Sequence, residues 1–122
     1  MKRCLIADDS NVIRKVARHI LESQKYEVSE AENGQEALDR CKHQVPDVVL
    51  LDWQMPVLSA MEFLAALRVT LSGRRPFIIY CTTENDPAEI SRALAAGADD
   101  FMMKPFDRAA LLGKMNEIAL AA

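Results

Sequence analysis

With 122 residues, 50% of them hydrophobic and 27% charged, the chain is sized for one domain spanning 1–122 that buries roughly two thirds of its unfolded surface without a disulfide or structural metal. A net charge of −3 with no basic cluster excludes a nucleic-acid footprint; no apolar run nears the ~18 residues of a membrane span, and Asp8 and Asp9 interrupt the N-terminal apolar run before a secretion signal can form. Cys4, Cys41 and Cys81 are odd in number, widely spaced and among apolar neighbours, so they read as small buried hydrophobes of a reducing, cytoplasmic compartment rather than as metal or redox groups.

Cys4-Leu5-Ile6-Ala7 is a short apolar strand that runs into Asp8-Asp9-Ser10. From Asn11 the period becomes helical, with Val12, Ile13, Val16, Ala17, Ile20 and Leu21 as the expected buried stripe and Arg14, Lys15, Arg18 and Glu22 facing away. Tyr26 to Ala31 alternates polar and apolar residues like a sheet-edge strand, and Asn33-Gly34 turns the chain into a helix with Ala37, Leu38 and Cys41 on one side. Val45-Pro46-Asp47 breaks that helix. Val48 to Leu51, four consecutive apolar residues, is a strand buried on both faces that ends at Asp52, and Pro56 keeps it from continuing.

A third helix is expected from about Ala60, with Phe63, Leu64, Leu67 and Leu71 buried, closed by Gly73 to Pro76. Phe77 to Cys81 is the next buried strand and ends at Thr82-Thr83. Pro87 suits the first turn of a fourth helix, with Ile90, Ala93 and Leu94 as its stripe and Gly97 as its C-cap. Phe101-Met102-Met103 is the last strand and Lys104-Pro105-Phe106 its exit. Leu111, Leu112, Met115, Ile118 and Ala119 pattern a closing helix. Five strands alternating with five helices imply an α/β fold, a parallel sheet covered on both faces. Ligands of such sheets lie outside the carboxyl ends of the strands, where strand order reverses.

Those ends carry Asp8 and Asp9, then Asp52, then Thr82 and Thr83, then Lys104. Two carboxylates about 4 Å apart repel by about 4 kcal/mol at an effective dielectric near 20, so three of them together call for positive charge. Lys104 supplies one, and a divalent cation would supply the rest. Oxygen donors alone favour Mg²⁺, and an Asp beside Mg²⁺, an ammonium and a hydroxyl is equipped to attack phosphorus and form an aspartyl-phosphate. Each residue alone has a plainer role: Asp8, Asp9 or Ser10 as a helix cap, Asp52 as a turn residue, Thr82 as a strand end, Lys104 as a solvated charge. Their joint placement at successive strand ends is what points to a site.

With those residues in place, the sequence resembles the receiver domain of two-component response regulators, most narrowly the single-domain chemotaxis type. The resemblance runs from Cys4 to the last helix. It is carried by Asp8-Asp9, Ala31-Glu32-Asn33-Gly34 with Glu36-Ala37-Leu38, Asp47, Asp52 with Met55-Pro56, Thr82, Gly97-Ala98-Asp99-Asp100 and Lys104-Pro105-Phe106. It implies a flavodoxin-like (βα)5 fold with strand order 2-1-3-4-5. It also implies that Asp52 accepts phosphate from a histidine kinase or phosphotransfer protein. Mg²⁺ would be held by Asp9, Asp52 and the backbone carbonyl of Gln54, with Asp8 acting through water. Thr82 and Lys104 would contact the phosphoryl group, and the Lys104-Pro105 bond would be cis.

Phe101 falls at the family's switch aromatic, with plain core packing as its alternative. Inward movement of Thr82 and Phe101 would alter the face made by the fourth helix, fifth strand and fifth helix, where an output protein docks. Gln54 and Glu84, two residues beyond Asp52 and Thr82, are positions that tune loss of the phosphoryl group. Ala60 stands where the family usually has Gly, so residues 57–59 are expected to follow their own path. Ala110 replaces an acidic residue usual in the dimerising transcription factors of the family, and a monomer is expected.

His19 and His43 read as surface residues, Met55, Met102 and Met103 as packing, and Trp53, the single Trp, as a reporter beside Asp52. The leading expectation is a signalling module, not an enzyme, that catalyses only its own Mg²⁺-dependent phosphorylation and dephosphorylation. The alternative is a small Mg²⁺-dependent phosphohydrolase using Asp52 as nucleophile, against which stands Gln54 where such enzymes use a carboxylate. A flavin-binding module fits the topology, but Asp8 and Asp9 would repel a phosphate in the first loop.

Overall fold

The computed structural model describes residues 2–71, 73, 75–83 and 85–121, with 119–121 described by backbone alone. The chain alternates β1 (Arg3–Ala7), α1 (Asn11–Ser23), β2 (Glu27–Ala31), α2 (Gly34–His43), β3 (Val48–Asp52), α3 (Ala60–Thr70), β4 (Phe77–Thr82), α4 (Pro87–Ala96), β5 (Asp100–Met103) and α5 (Arg108–Ala121). All neighbouring strands pair in parallel, in the order β2-β1-β3-β4-β5. This is the flavodoxin-like arrangement expected from the resemblance. None of the described helices is long and apolar enough to cross a membrane.

Strand periodicity sorts the core into two layers. Leu5, Ala7, Val49, Leu51, Ile78 and Tyr80 point to one face, where they meet Ala37, Leu38 and Cys41 of α2, Phe63, Leu64 and Leu67 of α3, and Ala93 of α4. The alternate residues Cys4, Ile6, Val48, Leu50, Ile79 and Cys81 point to the other, against Ala17, Ile20 and Leu21 of α1 and Leu111 and Met115 of α5. Every residue of β3 is buried, as its unbroken apolar run requires at the centre of a doubly covered sheet. The three thiols are buried and unpaired by disulfides.

The stripe expected on α1 needs correction. Val12 and Val16 are 70% and 49% exposed, and Ile13 is only half-buried, while Arg14 is buried. Only the Ala17, Ile20 and Leu21 arc faces the sheet. Arg14 shares the buried side of the helix with Ala17 and Leu21 and folds back under the first loop, where its Nη1 donates to the Asp8 carbonyl. On α4, Leu94 is 41% exposed and Ile90 half-buried, leaving Ala93 as the buried residue of a helix that rests lightly on the sheet. Of the α5 stripe, Leu111 and Met115 are buried, Leu112 and Ile118 are partly buried, and the Ala119 side chain lies outside the described residues.

Helix starts follow local chemistry. Ser10, Asn33, Ser59 and Asp86 each cap a helix with a side-chain oxygen, and Ser59 with Glu62 forms a reciprocal capping box. Because Ser10 caps α1, Asp8 and Asp9 are not consumed as the cap. Gly34 packs so closely on the β3–α3 loop that an added Cβ would land on the Leu58 carbonyl. In that loop Val57 holds φ 71°, in the left-handed region, and is 77% exposed.

Candidate metal and phosphoryl site

The strand order makes β1 and β3 neighbours with β2 outside them, so the chain's direction of growth reverses between β1 and β3. Asp8 and Asp9 leave the first of these strands and Asp52 ends the second. The loops are pinned by the sheet itself: Asp8 N donates to Ala31 O at 3.0 Å, Trp53 N to Cys81 O at 2.9 Å, and Lys104 N to Thr82 O at 2.8 Å. One carboxylate oxygen from each of Asp8, Asp9 and Asp52 lies within 4.8 Å of the others, with Asp8 and Asp52 buried and Asp9 exposed.

Lys104 enters this cluster from the far side of the sheet. Its Nζ donates to Asp8 Oδ2 at 2.7 Å and to Asp52 Oδ1 at 2.9 Å. The Lys104-Pro105 peptide is cis. Burial pushes the Asp52 carboxyl above its usual pKa, the Lys104 hydrogen bond opposes this, and the charges of Asp8 and Asp9 add to the rise. Burial also works against the Lys104 ammonium, but its bonds to Asp8 and Asp52 outweigh that and hold its pKa above the ordinary lysine value. Three carboxylates against one ammonium leave negative charge uncompensated, and the donors are all oxygen. That set fits a hard divalent cation such as Mg²⁺.

Arg14 fastens the first loop from behind. Its Nη1 donates to the Asp8 carbonyl at 2.6 Å, its Nη2 bonds Asn11 Oδ1, and its Nε donates to Glu30 Oε1 at 3.0 Å. Arg18 Nη1 donates to the other Glu30 oxygen at 2.6 Å. The bond from Arg18 is the foremost reason the Glu30 carboxyl sits below its usual pKa, with Arg14 adding to it.

Thr82 is fully buried at the end of β4. Its Oγ1 lies 3.5 Å from Glu89 Oε1, and the same oxygen accepts from the Tyr80 hydroxyl at 2.6 Å. Thr83 is exposed. Phe101 is half-buried against the core layer of α2, α3 and α4, with the Lys114 ammonium 5.7 Å from its ring centroid. Gln54 is exposed, Trp53 is half-buried, and Glu84 lies outside the described residues. His19 and His43 are exposed, whereas Met55 and Met102 are buried.

The sequence reading missed Arg14, Glu89 and Tyr80. Arg14 carried no signal, because a cation amid a helical apolar pattern reads as solvent-facing. Tyr80 had one: it lies two residues before Thr82, and i, i+2 residues of a strand share a face.

The chain matches the response regulator receiver domain family over residues 4–116. It is 32% identical to the chemotaxis protein CheY of Halobacterium salinarum over 98% of both chains. It is 33% identical to CheY of Thermotoga maritima over 97% of this chain and 98% of that one. Among solved structures it resembles the chemotaxis response regulator CheY4 of Vibrio cholerae, with a TM-score of 0.90 and 34% identity over 97% of this chain and 98% of that one. With the sheet order, the acidic cluster and its lysine in agreement, the chain belongs to the response regulator receiver domain family and is CheY-like in size and fold.

Proposed function

We propose that this chain is a phosphoacceptor receiver, a single domain that takes a phosphoryl group onto Asp52 from a histidine kinase or phosphotransfer protein and thereby changes what it binds. The observation that carries the reading is the Lys104 ammonium bridging Asp8 and Asp52 inside a three-carboxylate cluster. Such a cluster stores strong negative potential at one point and keeps a cation beside the nucleophile.

Asp9, Asp52 and the Gln54 backbone carbonyl would hold Mg²⁺, with Asp8 contributing through water. Bound there, Mg²⁺ supplies charge stabilisation for the phosphoryl oxygens. An Asp52 carboxylate oxygen attacks phosphorus as the donor's P–N bond breaks, and the leaving imidazole nitrogen takes a proton. Lys104, already aimed at Asp52 Oδ1, transfers its hydrogen bond to an equatorial phosphoryl oxygen, and the Thr82 hydroxyl donates another. Little reorganisation is required of the lysine. Phe101 then turns inward, altering the face of α4, β5 and α5 that meets the output protein. Gln54 and Glu84, two residues beyond Asp52 and Thr82 in the sequence, would tune the lifetime of the phosphoryl group. The buried, unpaired thiols support action in a reducing cytoplasm.

The test is phosphotransfer. Incubation with Mg²⁺ and acetyl phosphate or a labelled histidine kinase panel should yield acid-stable, hydroxylamine-labile phosphoprotein, absent in Asp52→Asn and without Mg²⁺. Wild-type protein that stays unlabelled by every donor would refute the assignment.

A further inference from the structure

Every polar atom of Asp8 is held. Its N donates to Ala31 O at 3.0 Å, its Oδ1 accepts from Ser10 N at 2.9 Å, and its Oδ2 accepts from the Lys104 ammonium at 2.7 Å. Its carbonyl oxygen, just beyond the end of β1, accepts from Arg14 Nη1 at 2.6 Å. Asp9 is placed differently: it is exposed, and among the described residues its carboxylate makes no hydrogen bond or ion pair. Where that carboxylate stands is therefore set by the backbone that carries it.

The Asp8 carbonyl and the Asp9 amide belong to one planar peptide unit, so a bond that fixes the first also fixes the plane from which the Asp9 side chain departs. Arg14 is suited to that task. Its guanidinium is a rigid planar fork, engaged at all three nitrogens: Nη1 by Asp8 O, Nη2 by Asn11 Oδ1, and Nε by Glu30 Oε1 at 3.0 Å. Asn11 begins α1 and Glu30 lies in β2, so the loop between β1 and α1 is fastened to both. Glu30 also accepts from Arg18 Nη1 at 2.6 Å, and Arg18 Nε donates to Glu22 Oε2 at 3.2 Å. Two guanidinium groups thus meet two carboxylates, and the network behind the loop brings no net positive charge to oppose a cation in front of it.

We propose that Arg14 is a positioning residue for the metal site: by gripping the Asp8 carbonyl it fixes the Asp8–Asp9 peptide and aims the Asp9 carboxylate at the cluster that Asp8 and Asp52 complete. This rests on the reading of that cluster as a Mg²⁺ site. The expected sign is opposite to that of plain electrostatics. A guanidinium acting only through its charge would repel a nearby cation, and removing it would tighten binding; acting through the peptide plane, its removal weakens binding.

The experiment titrates the whole chain with Mg²⁺ alone at constant ionic strength, read by Trp53 fluorescence and by the rise in urea midpoint that bound metal produces. Arg14→Lys keeps a cation but not the fork, and should weaken Mg²⁺ binding about fivefold, the worth of one hydrogen bond. Arg14→Met should weaken it at least as much. Leu21→Ala loosens α1 on the sheet without touching the loop; it should lower stability and leave Mg²⁺ affinity within about twofold of wild type. Unchanged affinity in folded Arg14→Lys, tighter binding in Arg14→Met, or equal weakening in Leu21→Ala overturns the proposal. The first makes Arg14 a bystander, the second a repelling charge, and the third a merely structural residue. Should Arg14→Met fail to fold, Arg14→Lys and Leu21→Ala decide between them. If wild type shows no saturable Mg²⁺ response that Asp9→Asn diminishes, the metal reading itself fails and takes this inference with it.

Discussion

The Lys104 ammonium stands 2.9 Å from Asp52 Oδ1, bringing a residue just beyond β5 to the tip of β3 across the intervening strand β4. Its other bond goes to Asp8, so one buried cation serves carboxylates from two strands. Removing it leaves those carboxylates facing each other. Lys104→Met should destabilise the protein at pH 7 by ~3 kcal/mol, the cost of uncovering a buried charge pair, and millimolar Mg²⁺ should restore part of the loss. Urea unfolding with and without Mg²⁺ measures both.

Asp52 gives the opposite sign. Its folded-state pKa is raised, chiefly by burial, so its contribution to stability is present while the carboxyl is protonated and is lost as pH rises through the folded value. Asp52→Asn cannot ionise. It should exceed wild type in stability at pH 7 by about 1–2 kcal/mol, with the gap closing as pH falls to the ordinary aspartate range. Denaturation series across pH 3 to 7 follow the difference.

Val57 occupies the left-handed region at φ 71° with its side chain in solvent. A β-branched residue pays for that conformation and here gains no packing in return. Val57→Asn should stabilise the protein by ~1 kcal/mol, read from the urea midpoint at unchanged slope.

Gly34 begins α2 directly beneath the Leu58 carbonyl. Backbone cannot yield there as a flexible side chain would. Gly34→Ala should cost about 1–3 kcal/mol by overpacking and displace the β3–α3 loop, detectable as a changed Trp53 emission spectrum in the folded protein.

The cysteines offer a label-free check of the core. Burial raises all three thiols, with Cys41 and Cys81 pushed up to about 12. None should react with a thiol reagent at pH 8 in the native state. Reaction should follow the rate of global opening and accelerate in parallel with added urea.

Much of the molecule was legible in the residues. The all-apolar β3 and the alternation of strand and helix follow from short-range rules, and each strand-end residue was placed by counting forward from its strand. Asp8, Asp9, Asp52 and Lys104 do meet. Less legible were the helix faces: the stripe on α1 held only for Ala17, Ile20 and Leu21, because periodicity does not show which polar residue folds onto the buried side. Arg14 shows this directly, buried under a loop whose carbonyl no sequence pattern could have paired with it.

The sequence by itself determined which chemical groups stand at the carboxyl ends of the strands, since hydrophobic runs and their polar stops are local properties of the chain. Only the tertiary structure decided their partners. Lys104 has two acceptors within 3 Å because β4 and β5 carry it past Thr82 to the Asp52 edge. Thr82 faces Glu89 because α4 returns over β4. Distance through space depends on how layers pack, and neither contact is encoded in any stretch of sequence short enough to read alone.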